Sequence, residues 1–408
     1  HPLTSSTVVS VQPDVKTEKL WPQSHSVELL LTLDQATQAR LFMKKIDAEL
    51  MPAKSVQALR RDLASNRVEA RWYRDFAATL RARGVPLLKS PLVDERLECL
   101  DQATGDGEEQ MLRQGKMLLL LECVDQRSYK QTSPLSETQA GYSLDLLAAF
   151  HASAWEDRDL LHEASQKLHA NGCYWTLSRR GEAELRNLQP AWATYLESFR
   201  SLAPDLLSKP NIVNLASRLE SIAPWLASQL EASPKDDFAT LVHGDYKAMN
   251  LFLPVDAADD AVLIDFQWTG VGFGMADVAM HLSHSVVTEE VSDAEEELVR
   301  RYYTALLQKL KERGATFESY SFDIAWSFYE LAFLDYARMV ISCFFQGASP
   351  EKFLAHGNNP NVGFVYRNAE ASFLYIQVVE RHLSKVENRA ARYQKNEPDR
   401  SRPPRKKE

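Results

Sequence analysis

The stretch HGDYKAMN, residues His243–Asn250, and the stretch VLIDFQ, residues Val262–Gln267, decide the fold prediction for this chain. The first stretch places an aspartate five residues before an asparagine, and the second places an aspartate at the end of an apolar, strand-like run. Phosphoryl transfer needs a group that orients the attacking hydroxyl and oxygen ligands for Mg²⁺. Asp245, Asn250 and Asp265 supply such groups.

Away from these motifs, the chain changes character near residue 125. Before it, SVELLLTL and RLFMKKI flank the polar segment DQATQ and predict a β-hairpin. A helix is predicted next, because Val68, Trp72, Phe76 and Leu80 recur at helical spacing before Gly84. After residue 125, helix-like segments dominate, and two short strand-like runs carry the motifs. We therefore predict an α+β chain with a small β-rich N-lobe and a larger, mainly helical C-lobe.

The lobes have predicted bounds within the 408 residues. From Arg392 onward, basic residues and prolines lack any apolar periodicity, which is typical of a disordered tail. We predict an irregular segment over 1–19, an N-lobe over 20–124, a C-lobe over 125–388 and a basic disordered tail over 389–408.

Composition excludes several functional classes. The net charge of −9 argues against a general binder of nucleic acid or of anionic membranes. No apolar run approaches the ~20 residues that cross a bilayer, so no membrane span is expected. The four cysteines form no CxxC pair, and we expect free thiols and a cytoplasmic location. The sequence begins at His1, which leaves targeting open.

The paired motifs resemble those of the aminoglycoside phosphotransferase and choline kinase group of small-molecule kinases. The closest resemblance is to the ecdysteroid kinase-like branch, which LAAFHASAW (Leu147–Trp155) and GMADVAMHL (Gly274–Leu282) also resemble. The resemblance covers Val27–Val378. It implies a protein-kinase-like two-lobe fold, ATP and Mg²⁺ as cofactors, and a small-molecule alcohol as acceptor, such as an amino alcohol, a sterol, a sugar or an aminoglycoside-like compound.

The resemblance also implies roles for individual residues of the two motifs. Asp245 would be the catalytic base, and Asn250 and Asp265 would bind Mg²⁺. Asp277 would be a structural carboxylate that braces the catalytic loop, and His243 would be a scaffold residue rather than a proton donor.

Lysines and a helix glutamate are the predicted phosphate-binding group. A kinase pairs a strand lysine with a helix glutamate to hold the α- and β-phosphates of ATP. The family pattern favours Lys44 over the alternative Lys45, and it favours Glu69 in EARWY as the glutamate. Lys247, two residues after Asp245, either contacts the γ-phosphate or is a solvated loop lysine.

The remaining nucleotide contacts are predicted from the backbone. LLLLECVD resembles the segment that joins the lobes, where the C=O of Glu122 and the N–H of Val124 would hydrogen-bond adenine. The turn over the phosphates corresponds to PQSHS, Pro22–Ser26, where Ser24 and Ser26 offer hydroxyl and backbone N–H groups.

Glycine is where the chain departs from the kinase pattern. Only 15 of 408 residues are glycine, and none precedes Gly84, whereas a Gly-rich loop covers the phosphates in protein kinases. A residue with a side chain cannot approach phosphate as closely as glycine does. The alternative function is therefore a pseudokinase-like nucleotide-binding or regulatory protein without turnover.

The acceptor is predicted to be a small molecule rather than a peptide. Only 11 residues separate Asp265 from Asp277, and no APE motif follows, so a peptide-docking segment is missing. Later in the chain, an aromatic stripe shares one helix face and is the predicted substrate pocket, with ordinary helical core as the alternative. The stripe comprises Trp326, Tyr329, Phe333 and Tyr336, and the acidic residues Glu330 and Asp335 lie beside it.

Overall fold

The chain forms two compact units in this computed structural model, which describes residues 8–13, 18–21, 24–33, 38–255 and 260–395. The first unit is β-rich and the second is mainly helical, which confirms the predicted α+β class. The first unit comprises the described parts of His1–Tyr129 and Pro254–Trp268, and the second comprises those of Lys130–Leu253 and Thr269–Glu408.

An antiparallel sheet forms the centre of the first unit. Its strands, as far as the chain is described, are β1 (Val8–Pro13), β2 (Glu18–Trp21), β3 (Ser24–Leu33), β4 (Gln38–Asp47), β5 (Leu92–Arg96) and β6 (Lys116–Glu122). Their order is β1-β3-β4-β6-β5, and β2 also pairs with β3. Met117, Leu119 and Leu121 alternate along β6 and are buried, because side chains two residues apart point to the same face.

The prediction of an irregular segment over residues 1–19 is wrong for the part that the structure describes. β1 pairs with β3 from Val8↔Leu33 to Pro13↔Leu29, and β2 begins at Glu18. The run VVSV is rich in β-branched residues, which pack well on a pleated sheet, and its backbone groups pair with those of β3.

Helices cover part of the sheet in the first unit. α1 begins after Ser55, whose side chain accepts a hydrogen bond from the Ala58 N–H at 3.2 Å. The predicted helix around Val68 and Leu80 is confirmed, and it begins earlier than its apolar pattern suggested. The bounds are α1 (Val56–Arg71), a π-helical segment (Trp72–Phe76), α2 (Ala77–Ala82), α3 (Cys99–Gln102) and α4 (Glu108–Leu112).

The segment around Asp265 belongs to the β-rich unit, although the sequence placed it within the C-lobe over 125–388. Leu263, in strand β10 (Val262–Leu263), forms a parallel bridge with Leu87. Phe266 stacks on Trp72 with ring centroids 4.3 Å apart. These apolar contacts join the Asp265 segment to residues that lie nearly two hundred positions earlier in the sequence. No local sequence pattern predicts such contacts.

The second unit consists mainly of helices around a two-stranded sheet, in which β8 (Ala239–Val242) pairs antiparallel with β11 (Gly270–Phe273). Two short strands lie at the chain crossings between units, β7 (Tyr129–Lys130) and β9 (Leu251–Pro254). The described helices of the second unit are α5 (Glu137–Ala154), α6 (Arg158–Lys167), α7 (Leu177–Arg180), α8 (Glu182–Arg186), α9 (Leu188–Phe199), α10 (Pro204–Leu207), α11 (Pro210–Val213), α12 (Leu215–Leu230), α13 (Met275–Ser285), α14 (Thr288–Glu312), α15 (Phe322–Met339), α16 (Pro350–His356) and α17 (Ala369–Lys395).

The last helix corrects the predicted start of the tail at residue 389. α17 continues to Lys395, because Ala390 is buried and Arg389 donates a 2.6 Å hydrogen bond to Glu330 of α15. The rest of the predicted tail, 396–408, lies outside the described residues.

None of the described helices combines the length and the apolar character that a membrane span requires. The four cysteines, Cys99, Cys123, Cys173 and Cys343, are free thiols, as predicted.

Candidate active site

The HGDYKAMN loop follows β8 directly, and a buried carboxylate holds its first residues. Gly244 has φ +80°, a conformation that favours glycine. The backbone N–H groups of His243 and Gly244 donate to the carboxylate of Asp277 at 2.6 and 2.9 Å. Because Asp277 lies in the first turn of α13, that helix fixes the path of the loop.

Asp277 has a third partner that the sequence did not predict. Nε2 of His151 on α5 lies 3.1 Å from its carboxylate, and Nδ1 of the same ring lies 2.6 Å from the Tyr302 hydroxyl. All three side chains are fully buried. The signal was present in the sequence, since His151 lies within LAAFHASAW, but the motif alone did not indicate its partner.

Asp245, Lys247 and Asn250 come together at the end of the loop. Nζ of Lys247 lies 2.8 Å from Oδ2 of Asp245. Nδ2 of Asn250 donates to the backbone C=O of Asp245 at 2.8 Å and to its Oδ2 at 3.2 Å. Asp245 is only 7% exposed, so its carboxylate is held in one orientation before any ligand binds. His243 packs below the loop, where its Nδ1 accepts a 3.3 Å hydrogen bond from the Asp245 N–H.

In the β-rich unit, a second cluster joins a strand lysine to two carboxylates. Nζ of Lys44 on β4 lies 2.6 Å from Oε2 of Glu69 on α1 and 3.8 Å from Oδ1 of Asp265. Lys45, the alternative, has a half-exposed side chain that contacts Asp47 at 3.9 Å. The structure thus brings Lys44, and not Lys45, beside Glu69.

The two carboxylates of this cluster stabilise the charged form of Lys44. Burial alone would lower the pKa of Lys44, but Glu69 and Asp265 outweigh it and raise that pKa. Asp265 has φ +66°, an uncommon backbone conformation for a residue with a side chain, and such conformations concentrate at functional sites.

The other predicted nucleotide contacts lie on or next to the sheet. Glu122 ends β6, its N–H donates to the Lys89 C=O at 3.0 Å, and Val124 follows outside any regular element. Ser24 begins β3. Ser26 is buried and pairs with Lys44 on β4, so the side chains of Ser26 and Lys44 lie on one face of the sheet. Pro22 and Gln23, the first residues of the predicted phosphate turn, lie outside the described residues.

The aromatic stripe of α15 packs against neighbouring helices. Tyr329 and Phe333 are buried, and their rings lie 6.0 and 5.0 Å from His382 of α17. Trp326 lies 5.9 Å from the same ring, and Glu330 pairs with Arg389. These residues, predicted as a substrate pocket, therefore have the contacts of helical core, which was the alternative.

His382 carries a buried charge network at this helix junction. Its Nε2 lies 3.0 Å from Glu295 of α14, and its Nδ1 lies 3.5 Å from Glu330. Burial alone would lower the pKa of His382, but the hydrogen bonds and charges of the two glutamates outweigh it and raise that pKa. Arg381 and Arg389 neutralise the outer side of the same two carboxylates.

This network predicts a pH-dependent stability. A raised histidine pKa stabilises the fold fully below the unfolded value of ~6.5, and that contribution is lost as pH rises through the folded value. We expect His382→Gln to destabilise the protein most near pH 6 and progressively less at higher pH. Urea unfolding at several pH values measures the difference, with His162→Gln at an exposed position of α6 as the control. A pH-independent difference would contradict a charged His382.

A cavity of about 310 Å³ lies in the helical unit, where Ala332 of α15 forms part of its wall. Its walls include the β11 residues Val271 and Phe273, and Asp335 of α15 also lines it. Asp335 accepts a 2.9 Å hydrogen bond from the buried Arg338. The sequence missed this cavity, because the segment that closes it, residues 171–178, has no periodic pattern. The other apolar side chains of its wall include Trp175, Leu177, Pro224, Leu230 and Ala332.

The chain matches the model of a known protein family. The model of the ecdysteroid kinase-like family matches residues 106–315, which include both motifs and Asp277. No curated protein matches the sequence significantly.

Solved structures similar to this chain are distant kinases. The amicoumacin kinase hAmiN, in complex with AMP-PNP, Ca²⁺ and Ami, is 13% identical over 95% of this chain and 89% of its own, with a TM-score of 0.43. Choline kinase LicA from Streptococcus pneumoniae is 13% identical over 93% and 94%, with a TM-score of 0.38. An aminoglycoside phosphotransferase from Streptomyces rimosus is 16% identical over 76% and 90%, with a TM-score of 0.34.

Proposed function

The chain belongs to the ecdysteroid kinase-like family, as its paired motifs predicted, and we propose that it transfers the γ-phosphoryl group of ATP to a hydroxyl of a small molecule. The observation that carries this proposal is the loop in which Asp245 contacts Lys247 and Asn250 while Asp277 holds the backbone. Free thiols at all four cysteines support a cytoplasmic location.

Asp245 acts on the acceptor. Its carboxylate accepts or orients the proton of the substrate hydroxyl, whose oxygen then attacks the γ-phosphorus as the bond to the ADP oxygen breaks. Lys247 at 2.8 Å orients this carboxylate, and its charge suits a phosphoryl oxygen. Because this carboxylate is already held in place when the acceptor binds, little entropy is lost on the way to the transition state, and this speeds the reaction.

Mg²⁺ fits the donor atoms of the motif residues. Asn250 uses its Nδ2 for Asp245, which leaves its Oδ1 as a metal ligand, and Asp265 offers a carboxylate. Mg²⁺ in kinases takes one or two such side chains and completes its shell with phosphates and water. When bound, the ion supplies positive charge to the phosphate oxygens.

Lys44 is the proposed partner of the α- and β-phosphates, with Glu69 holding it in place. We expect Lys44→Met to lower turnover on the order of 10²–10³-fold, since a fixed positive donor to the phosphates is lost. Lys45→Met, one residue along the same strand and half-exposed, is the matched control and should retain activity. Steady-state kinetics with Mg·ATP measure both variants, and equal losses would contradict the assignment.

The lining of the cavity in the helical unit bears on which class of acceptor the protein would bind. Its wall is mainly apolar, and Asp335 contributes a carboxylate. Tyr174, in the segment 171–178, donates its N–H to the C=O of Gly244 at 3.2 Å, so the cavity wall contacts the catalytic loop. This arrangement supports an alcohol with a substantial apolar body, and an amine on that body would be attracted by the carboxylate.

An ADP-release screen tests the proposed function. Purified protein with Mg·ATP is incubated with amino alcohols, sterols, sugars and aminoglycosides, and mass spectrometry then identifies any product that has gained one HPO₃ group. We expect ADP release that depends on one acceptor class. Binding of Mg·ATP without a product from any class would favour the pseudokinase alternative, which the absence of glycine before Gly84 prompted.

A further inference from the structure

Tyr73 carries a buried hydroxyl with no hydrogen-bond partner among the residues that the structure describes. It lies in the first unit, one helical turn after Glu69, and is only 6% exposed. A buried polar group without a partner destabilises the fold, because it has lost its hydrogen bonds to water. Such a group in a native structure therefore calls for an explanation, and a ligand-bound state is one.

Aromatic packing fixes where this hydroxyl lies. The Tyr73 ring meets the Phe266 ring edge-to-face, with centroids 5.9 Å apart at 87°. Phe266 also stacks on Trp72 and directly follows Asp265 in the chain. The same contacts that hold the Asp265 segment in this unit thus hold the Tyr73 ring beside it.

The surroundings of the hydroxyl are acidic. Burial raises the pKa of Tyr73 well above its ordinary value, and the charges of Glu69 and Asp265 raise it further. The hydroxyl therefore remains protonated and can donate a hydrogen bond. Nζ of Lys44 lies 2.6 Å from Glu69 and 3.8 Å from Asp265, so both carboxylates belong to the same cluster.

The local helix geometry is also unusual. Trp72–Phe76 is π-helical between two α-helical stretches, and π-helical turns are rare and frequent at functional sites. The segment presents Tyr73 and Trp72 together to Phe266.

We propose that the Tyr73 hydroxyl donates a hydrogen bond to the Asp265 carboxylate in the nucleotide-loaded protein, which makes Tyr73 a positioning residue for that carboxylate. This inference rests on the proposed function, because it assigns Asp265 to Mg²⁺. The hydroxyl orients Asp265 and offsets part of its charge on the side away from the ligand. Loss of a residue that orients a metal ligand in this way typically lowers metal affinity or activity by about 10–100-fold.

Tyr73→Phe tests the inference, because it removes the hydroxyl and keeps the ring on Phe266. We expect unfolding of the nucleotide-free variant at the wild-type temperature or higher, since an unpaired buried hydroxyl is lost. The stabilisation by Mg·ADP should shrink, and calorimetric titration should give an affinity for Mg·ATP weaker by about 10–100-fold. Tyr375→Phe, at a buried tyrosine packed on Phe333 in the helical unit, is the matched control.

The outcomes separate this inference from the function on which it rests. If wild type gains no stability from Mg-nucleotide and does not bind it, the proposed function fails and the role of Tyr73 fails with it. If wild type binds Mg·ATP and Tyr73→Phe binds equally well, the positioning role alone is overturned. A nucleotide-free variant that is strongly destabilised would also overturn it, because the hydroxyl would then be a structural donor.

Discussion

The Asp245→Asn variant is expected to lose turnover by a factor on the order of 10²–10⁴, the usual contribution of a general base. The substitution keeps the size of the side chain but removes the negative charge that accepts the hydroxyl proton. Nucleotide binding should survive, because Lys44, Glu69 and Asp265 belong to the other unit. Single-turnover kinetics and a separate Mg·ATP binding measurement distinguish these two effects.

Asp205→Asn is a suitable control for this variant. Asp205 is exposed on α10 of the same unit, so the chemical change is identical and its surroundings are solvent. Turnover by Asp245→Asn at the control level would show that this carboxylate is not the base. Loss of folding in the variant would instead assign Asp245 a structural role, which thermal unfolding would reveal.

Asp277→Ala is expected to have the largest effect on stability. Its carboxylate accepts from the N–H groups of His243 and Gly244 and contacts Nε2 of His151, all within the buried core. Removing one member of a buried charged group costs about 3–5 kcal/mol, since the partners are left desolvated and unpaired. Turnover should fall as well, because the HGD loop loses the contact that sets its path.

The conservative Asp277→Asn variant sharpens this prediction. An asparagine retains one acceptor oxygen at nearly the same place, so urea unfolding should give a loss intermediate between alanine and wild type. Equal stability of the alanine variant and wild type would contradict the bracing role of Asp277.

Local pattern was sufficient for the elements that form from neighbouring residues. The β3–β4 hairpin, the helix around Val68 and the HGDYKAMN loop depend on spacing within a few residues, and the structure contains all three. β1 was missed because VVSV is a short run between polar segments, and its pairing with the distant β3 supplies the hydrogen bonds. The end of α17 was missed because contacts of Arg389 with α15 extend it.

Long-range contacts explain what the sequence could not predict about the candidate site. His151 and Tyr302 lie far from Asp277 in the chain, and no period connects them. Tyr73 was visible only as part of an aromatic pair, because its importance arises from Phe266 on another segment. The α15 stripe was visible, but its pattern could not indicate whether a ligand or α17 covers it.

Phosphoryl transfer from ATP to an alcohol, with Asp245 as the base, can be followed with an isotopic label. The most direct test supplies Mg·ATP that carries heavy oxygen in its γ-phosphoryl group, together with the acceptor found by ADP release. We predict that the wild-type protein transfers the label to a phosphate ester of the acceptor. The Asp245→Asn variant should form the same ester at a rate lower by orders of magnitude. Label found only in free phosphate, or equal ester formation by both proteins, would contradict this prediction.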